Sequence, residues 1–195
     1  MKDNKEKMGA LDQLVTSARV VIFTMLVCSG LYTLFVYAVG QAVTPYTAEG
    51  SLITDPRGKV IGSELIAQKF TKPEYLWPRP SASDYNAAGT AGSNLSPTNP
   101  KLRERALEII GTMGTTADNP VPADLVTASG GGLDPHITLE AARYQAKRVA
   151  AARGLPEEEI QRLIENHALR TGGMLTPEPL VNVLLLNMEL DKKAE

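Results

Sequence analysis

One loop of this 195-residue chain contains three side chains that are associated with hydrolysis. Ser129, Asp134 and His136 fall within eight residues, and a serine, an acid and a histidine are the components of a catalytic triad. A triad depends on geometry that neighbours in the chain rarely provide, and the sequence has no Gly-x-Ser-x-Gly turn. The favoured interpretation is that residues 134–136 shape the start of a helix. A hydrolase that uses Ser129 and His136 is the alternative.

Three consecutive glycines, Gly130, Gly131 and Gly132, lie between this serine and this acid. Backbone N–H groups of a glycine-rich loop can bind phosphate, but the Gly-x-x-x-x-Gly-Lys-Ser/Thr pattern does not occur here, and no helix is predicted directly after the glycines. We expect instead a tight loop that needs a positive φ or a close approach of two backbone segments.

The sequence gives little support for a metal site. His136 and His167 are 31 residues apart, and neither is paired with a second histidine at i+4. The one cysteine, Cys28, lies in an apolar stretch, so a disulfide or a cysteine zinc site within the chain is excluded. We expect no metal ion, and we interpret His167 as a surface residue of a helix.

One long stretch of the chain is uncharged and apolar, and it is the segment that would anchor the remaining residues. Residues 20–48 carry no charge, and 18 of the 24 residues in 20–43 are apolar or aromatic. As a helix these 24 residues would span roughly 36 Å, enough to cross a hydrocarbon layer of about 30 Å. An uncleaved anchor is favoured over a signal peptide, whose apolar core is shorter. The anchor prediction rests on Val20, Phe23, Leu26, Leu31, Phe35 and Val43.

Charges on the two sides of this stretch predict its orientation. Lys2, Lys5, Lys7 and Arg19 precede it, whereas the first positive residue after it is Arg57. Positive residues remain cytoplasmic. We therefore expect a cytoplasmic tail over 1–19, one membrane helix over 20–43 and an extracytoplasmic domain over 44–195.

Small side chains inside the predicted span suggest a contact with a second helix. Ser29 and Thr33 are four residues apart, and Gly30 lies between them. Small residues at this spacing allow two helices to approach closely. A span of this length also contains such pairs by chance, so both interpretations stay open.

The remaining residues predict one soluble domain. About 147 residues follow the span, enough for a hydrophobic core. The formal net charge of −2 gives no reason to expect nucleic acid as a partner. Asp84, Asp118, Asp124 and Asp134 allow a further alternative, an extracytoplasmic module that gathers cations, although solvation of the surface explains them equally well.

Local signals predict an α+β domain with a small sheet and about four helices. A turn at 55–58 predicts a hairpin over 51–61, and the Pro-rich residues 71–100 predict an ordered loop. Caps and breakers predict the other elements. These are a helix from Ser63 to about Phe70, helices over 100–110 (closed by Gly111), 139–153 and 156–168, a short strand over 125–127 and a buried strand over 181–187.

Five segments of this domain, taken in order, resemble one family. The chain closely resembles the C subunits of bacterial Kdp potassium-transporting ATPases, and the resemblance covers the anchor and nearly the whole domain. Ser96 stands where that family is expected to have glycine, and Gly131 where serine is expected. The segments are residues 58–66, 79–86, 92–100, 121–137 and 181–187.

The resemblance implies a non-catalytic subunit of an ATP-driven, high-affinity potassium importer in the bacterial inner membrane, with a periplasmic domain. Its implied partners are a channel-like subunit that selects potassium, a P-type ATPase subunit and a small single-helix subunit. The resemblance also implies two tasks for the subunit. It would stabilise the assembled complex, and it would act as a catalytic chaperone that raises the affinity of the ATPase subunit for ATP. Because ATP is cytoplasmic and the domain is predicted outside, we expect no tightly bound cofactor and an indirect effect on ATP affinity. Candidate partner contacts are Arg79, Pro80, Ser81, Tyr85, Asn86, Ser93, Asn94, Ser129, Gly130, Asp134 and His136.

Overall fold

A computed structural model describes residues 9–170 and 178–193 of the chain. The chain divides into two compact units, Met1–Ser51 and Leu52–Glu195. The mixture of helices and small antiparallel sheets confirms the α+β prediction.

The first unit consists mainly of one long helix. Helix α1 comprises α-helical Ala10–Met25, π-helical Leu26–Leu31 and α-helical Tyr32–Val43. Within these 34 residues, an 18-residue stretch has a mean hydropathy of 2.1, and none of that stretch is buried. Among the described residues it is the one helix that is long and apolar enough to cross a membrane. A short helix, α2 (Pro45–Ala48), follows it.

The predicted membrane span lies within α1, and the helix begins before it. Ala10–Arg19 is helical, so the part of the predicted tail that the structure describes continues the span. The lysines used for the orientation prediction, Lys2, Lys5 and Lys7, lie outside the described residues. All six residues on which the anchor prediction rests have exposed side chains in the isolated chain, as lipid-facing residues do: Val20, Phe23, Leu26, Leu31, Phe35 and Val43.

The second unit contains two antiparallel sheets. Strands β1 (Leu52–Thr54) and β2 (Val60–Ser63) form the predicted hairpin around the turn at 55–58. The other strands are β3 (His136–Thr138), β4 (Ala168–Leu169) and β5 (Leu180–Asn182), in the order β3-β5-β4. Its helices are α3 (Pro100–Met113), α4 (Ala123–Val126), α5 (Leu139–Arg153), α6 (Glu157–Asn166) and α7 (Val183–Lys192).

The core lies where α5, α6 and α7 meet the three-stranded sheet. Small residues on α5 allow α6 to approach closely, and the apolar face of α6 fills the space between them. The caps of α5 are those predicted: the Thr138 side chain accepts from the Ala141 N–H, and Gly154 ends the helix with a φ of 67°. The fully buried core residues include Ala141, Ala142, Ala146, Val149, Ile160, Ile164, Val181, Leu186 and Leu190.

Two buried amides hold the irregular segment 72–78 against this core. The Leu76 N–H donates to Asn187 Oδ1 at 2.8 Å, and Asn187 Nδ2 donates to the Leu76 carbonyl at 3.0 Å. Gln145 makes the same pair of bonds with the Trp77 backbone, at 2.8 and 3.1 Å. The backbone groups of a buried loop must find partners, and here side chains replace a neighbouring strand. We call this set of bonds the amide clamp.

Two arginines of α5 reinforce the same segment. Arg148 donates to the carbonyls of Pro73 and Tyr75, and its guanidinium lies 3.9 Å from the centre of the Trp77 ring. Burial lowers the pKa of Arg148 to about 10, so it stays charged at neutral pH. Arg153 donates to the Glu74 carbonyl and pairs with Asp191.

Two of the predicted elements near the ends of the domain are wrong. No helix follows Ser63; its hydroxyl accepts from the Leu65 N–H, and the Ala67 N–H donates to the Leu133 carbonyl instead of a local one. The strand predicted over 181–187 is a strand only to Asn182. The Asn182 side chain then accepts from the Leu185 N–H and caps helix α7.

Other boundaries also differ. Helix α3 runs through Gly111 to Met113, and Gly114, at a φ of 67°, ends it. The strand predicted over 125–127 is the short helix α4, and α6 ends at Asn166 rather than near residue 168. Strands β3 and β4 were not predicted, because two or three residues are too few for a period to show.

Candidate functional site

Two irregular loops of the second unit are bonded to each other. The Ser129 N–H donates to the Pro80 carbonyl at 3.0 Å. The Ala91 N–H and the Thr90 hydroxyl both donate to the Gly131 carbonyl, at 3.1 and 2.6 Å. We call residues 79–94 and 128–136 together the loop pair. All eleven candidate contact residues belong to the loop pair. Seven lie in residues 79–94 and four in residues 128–136, and the hydrogen bonds join these two segments.

A charged group fixes one end of the loop pair. Arg79 Nη1 lies 3.2 Å from Asp134 Oδ2, and Nη2 lies 3.5 Å from the Ala128 carbonyl. The His136 N–H donates to Asp134 Oδ1 at 3.0 Å, and the His136 ring nitrogen Nδ1 lies 3.6 Å from the same oxygen. Burial alone would raise the pKa of Asp134, but the interactions with His136 and the charge of Arg79 outweigh it and lower that pKa below its usual value.

We expect this carboxylate to make stability depend on pH. A carboxyl group whose pKa is lowered on folding contributes stability above its unfolded pKa, about 3.9, and that contribution is lost as the pH falls through the folded pKa. Asp134→Asn should therefore be less stable than wild type at neutral pH and should approach it below about pH 4. Urea unfolding from pH 3 to 7 measures the difference, and Asp118→Asn, in an exposed loop, is the control. A constant difference across this range would contradict the prediction.

The turn that follows Arg79 and Pro80 has an unusual backbone. Asp84 and Tyr85 have φ values of 50° and 59°, in the left-handed region that side chains with a Cβ disfavour. Ser81 Oγ accepts from the Tyr85 N–H at 2.9 Å, and the Tyr85 hydroxyl donates to the Arg79 carbonyl, also at 2.9 Å. Burial, and then the charge of Asp84, raise the pKa of Tyr85 to about 12, so the hydroxyl remains a donor.

Glycine is required where the two loops touch. A Cβ at Gly132, whose φ is 73°, would lie 2.6 Å from Ser83 Oγ and 2.7 Å from the Ala91 carbonyl oxygen. A Cβ at Gly92 would lie 2.6 Å from the Gly130 carbonyl oxygen. The positive φ and close contacts of Gly132 confirm the prediction of a tight loop, whereas a Cβ at Gly130 would meet nothing within 4 Å.

We expect Gly132→Ala to disrupt the loop pair. A left-handed backbone costs a residue with a Cβ about 1–2 kcal/mol. The Ala91 carbonyl oxygen would also have to move away from the added Cβ, and the hydrogen bond from the Ala91 N–H to the Gly131 carbonyl opposes that movement. Gly154→Ala is the matched control, because Gly154 has a similar φ of 67° but open space around a Cβ. Thermal unfolding should show a larger loss for Gly132→Ala. Equal losses would mean that backbone strain alone decides.

The remaining candidates lie on the outer part of the loop pair. Asn86 Oδ1 accepts from the Ala88 N–H, and Asn94 has a φ of 49°. Both side chains are exposed, whereas Ser93 is half-buried. These residues are therefore placed to shape the loop surface.

The contacts of Ser129 and Asp134 offer little support for the hydrolase alternative. Ser129 is only 3% exposed. The Asp134 carboxylate contacts both Arg79 and the His136 backbone, so its geometry is that of a brace between two loops.

Cation binding has equally weak support. Among the described residues no group of three or more His, Cys, Asp or Glu side chains could hold a metal ion. Asp84 pairs with Lys69, and Asp124 accepts from the Thr138 N–H. His167, predicted as a surface residue of a helix, is partly exposed at the C-cap of α6, with Nδ1 2.9 Å from the Leu163 carbonyl oxygen.

The small residues of α1 lie at an irregular part of the helix. Ser29 and Gly30 belong to its π-helical stretch, and Thr33 follows it. A Cβ added at Gly30 would meet nothing within 4 Å. The isolated chain therefore leaves this face open.

The sequence analysis missed the amide clamp. Its only signal is a polar amide at a core position of a helix: Gln145 lies between Ala142 and Ala146, and Asn187 follows three leucines. A buried amide is stable only when its bonds are satisfied.

Comparison with known proteins supports the family resemblance found in the sequence. A family model described as "K+-transporting ATPase, c chain" (KdpC) matches residues 14–192. A Parvibaculum lavamentivorans protein named as the potassium-transporting ATPase KdpC subunit is 53% identical over 182 residues, covering 93% of this chain and 97% of that protein. Proteins of the same name from Geobacter sulfurreducens and Geobacter metallireducens are 48% and 45% identical, covering 88% and 90% of this chain and 92% and 94% of their own lengths. With a match that takes in the long helix, the loop pair and the core, the chain belongs to the KdpC family of potassium-transporting ATPase subunits.

Proposed function

We propose that this chain is a non-catalytic accessory subunit that stabilises a potassium-importing ATPase complex in the bacterial inner membrane. Helix α1 would anchor it as a single span, with residues 1–19 in the cytoplasm and residues 44–195 in the periplasm. The observation that carries the proposal is the family match over residues 14–192. The apolar helix and the excess of positive residues before it support the anchor and its orientation.

The proposed partners are a channel-like subunit that selects potassium, a P-type ATPase subunit that hydrolyses ATP and a small single-helix subunit. The open face at Ser29, Gly30 and Thr33 would contact a partner helix within the membrane. The exposed surface of the loop pair would contact the channel-like subunit outside it. A loop held by its own bonds loses little entropy on binding, which favours such a contact.

A role as a catalytic chaperone follows as a finer proposal. On the proposed topology the second unit and ATP lie on opposite sides of the membrane. Any increase in the ATPase subunit's affinity for ATP would then be transmitted through the partner subunits rather than by direct contact with nucleotide.

The test is to purify the complex with and without this chain. We expect the complex that lacks it to assemble poorly and to pump potassium slowly, while single substitutions Ser129→Ala and His136→Ala in the intact complex leave turnover unchanged. Normal assembly and pumping without the chain would refute the accessory role. Loss of turnover with an intact fold and normal assembly of the complex in either alanine variant would favour the hydrolase.

Topology is tested on the same complex. Asp118→Cys in a Cys28→Ser background should react from outside spheroplasts with a thiol reagent that cannot cross the membrane. Reaction only after lysis would place the second unit in the cytoplasm and would remove the objection to direct nucleotide contact.

A further inference from the structure

Exposed apolar side chains of the second unit are concentrated in its first segment. After α1, seven large apolar residues are exposed among the described residues, and four of them fall within residues 52–65. The other three are distributed over the rest of the described chain. The seven are Tyr46, Leu52, Val60, Ile61, Leu65, Leu107 and Leu169.

The pairing of β1 and β2 brings three of these four side chains into one hairpin. Leu52 pairs with Ser63, and Thr54 pairs with Val60. The register shifts between Ile53 and Thr54, so Ile61 is an extra residue beside Val60. The hairpin thus presents Leu52, Val60 and Ile61 together, and Leu65 follows two residues after β2. We call these four residues the hairpin patch.

The hairpin is packed on its other side. Gly62 pairs with Ile53 on the face opposite Leu52, and a Cβ at Gly62 would overlap Gln68 and would lie 2.8 Å from Leu184. A two-stranded sheet is only marginally stable in water and needs a surface to pack against. The domain provides that surface on one side, and the hairpin patch leaves the other side apolar and uncovered.

We propose that the hairpin patch lies in the headgroup and upper acyl region of the lipid bilayer. Eight residues separate the end of α1 from Leu52, a tether of at most about 30 Å even when extended. The patch is therefore continuous in sequence with the helix assigned to the membrane. The turn between the strands adds two exposed cations, Lys59 and Arg57, the second of which pairs with Asp55 of the same turn at 3.3 Å. Apolar side chains beside exposed cations are typical of segments that bind at a membrane surface.

This inference rests on the proposed membrane anchoring, and its test separates the two. Single cysteines are placed at Val60 or Leu65 in a Cys28→Ser background and labelled with a polarity-sensitive fluorophore. Leu107→Cys is the matched control, because Leu107 on α3 is 49% exposed and Val60 is 51% exposed. The full chain is purified with its complex and reconstituted in phosphatidylethanolamine and phosphatidylglycerol bilayers.

We expect nitroxide-labelled lipid to quench the labels at positions 60 and 65 and not the label at position 107. Iodide in the water should quench the label at 107 more strongly than the labels at 60 and 65. Iodide quenching at position 60 equal to that at 107 would show a solvated patch and overturn the inference. Protection of position 60 from both quenchers would identify a protein partner as its cover and would also overturn it. Failure of the chain to co-purify or to enter bilayers, scored on the same sample, would count against the proposed function instead.

Discussion

Asn187→Leu should destabilise the second unit more than other single substitutions in its interior polar contacts. The change keeps the side-chain volume similar but leaves the N–H and carbonyl of Leu76 buried without the bonds that Asn187 provides at 2.8 and 3.0 Å. Each unsatisfied buried group costs about 1–3 kcal/mol, so we expect a loss of roughly 2–6 kcal/mol. A domain is stable by only about 5–15 kcal/mol. The variant should therefore be partly unfolded at moderate temperature.

Denaturant unfolding of the full chain in detergent, followed by circular dichroism, measures this loss. Asn166→Leu is the matched control, because Asn166 is exposed in the last turn of α6. It should change the free energy of unfolding by no more than about 0.5 kcal/mol. If the two variants were equally stable, water or a shift of segment 72–78 would have to replace the amide clamp.

Leu31→Arg should have the second large effect, on membrane insertion. Residue 31 lies near the middle of the apolar stretch 20–43 and is exposed in the isolated helix. A charge at the centre of a membrane helix costs at least about 2.5–3.5 kcal/mol. We expect little of this variant in the membrane fraction, whereas Cys28→Ser should insert normally.

Quantitative blotting of membrane and soluble fractions measures the result. Leu107→Arg makes the same change on exposed α3 and controls for the added charge itself. Equal membrane recovery of Leu31→Arg and Cys28→Ser would contradict a spanning role for α1.

Local signals in the sequence were sufficient where one residue determines one backbone conformation. Thr138 and Gly154 define the two ends of α5, and the turn at 55–58 defines the hairpin. Gly111 failed as a stop because glycine is tolerated inside a helix, and Gly114 three residues later adopts the left-handed conformation.

The apolar run 181–187 shows a different limit. A short buried run fits a strand and a helix equally well from its composition. Which of its residues form a strand and which form a helix depends on Asn182. This residue pairs with His136 in the sheet, and its side chain caps α7. Only the three-dimensional structure shows that one residue ends the strand and begins the helix.

Sequence analysis named residues of the loop pair but did not predict the contacts between them. The family resemblance identified both halves of the loop pair, but Arg79 and Asp134 are 55 residues apart and their ion pair has no local signal. The two pairs of the amide clamp join residues that are 111 and 68 positions apart. Contacts of this range depend on the packing of the whole domain, which a single sequence does not show.

The early start of α1 has a mechanical consequence. Ten helical residues, Ala10 to Arg19, precede the apolar core and form a rod of about 15 Å that continues the axis of the span. A change of about 20° in the tilt of the span would swing the end of this rod sideways by about 5 Å. The helix can therefore act as a lever that converts a small rocking of its surroundings into a larger displacement at its tip.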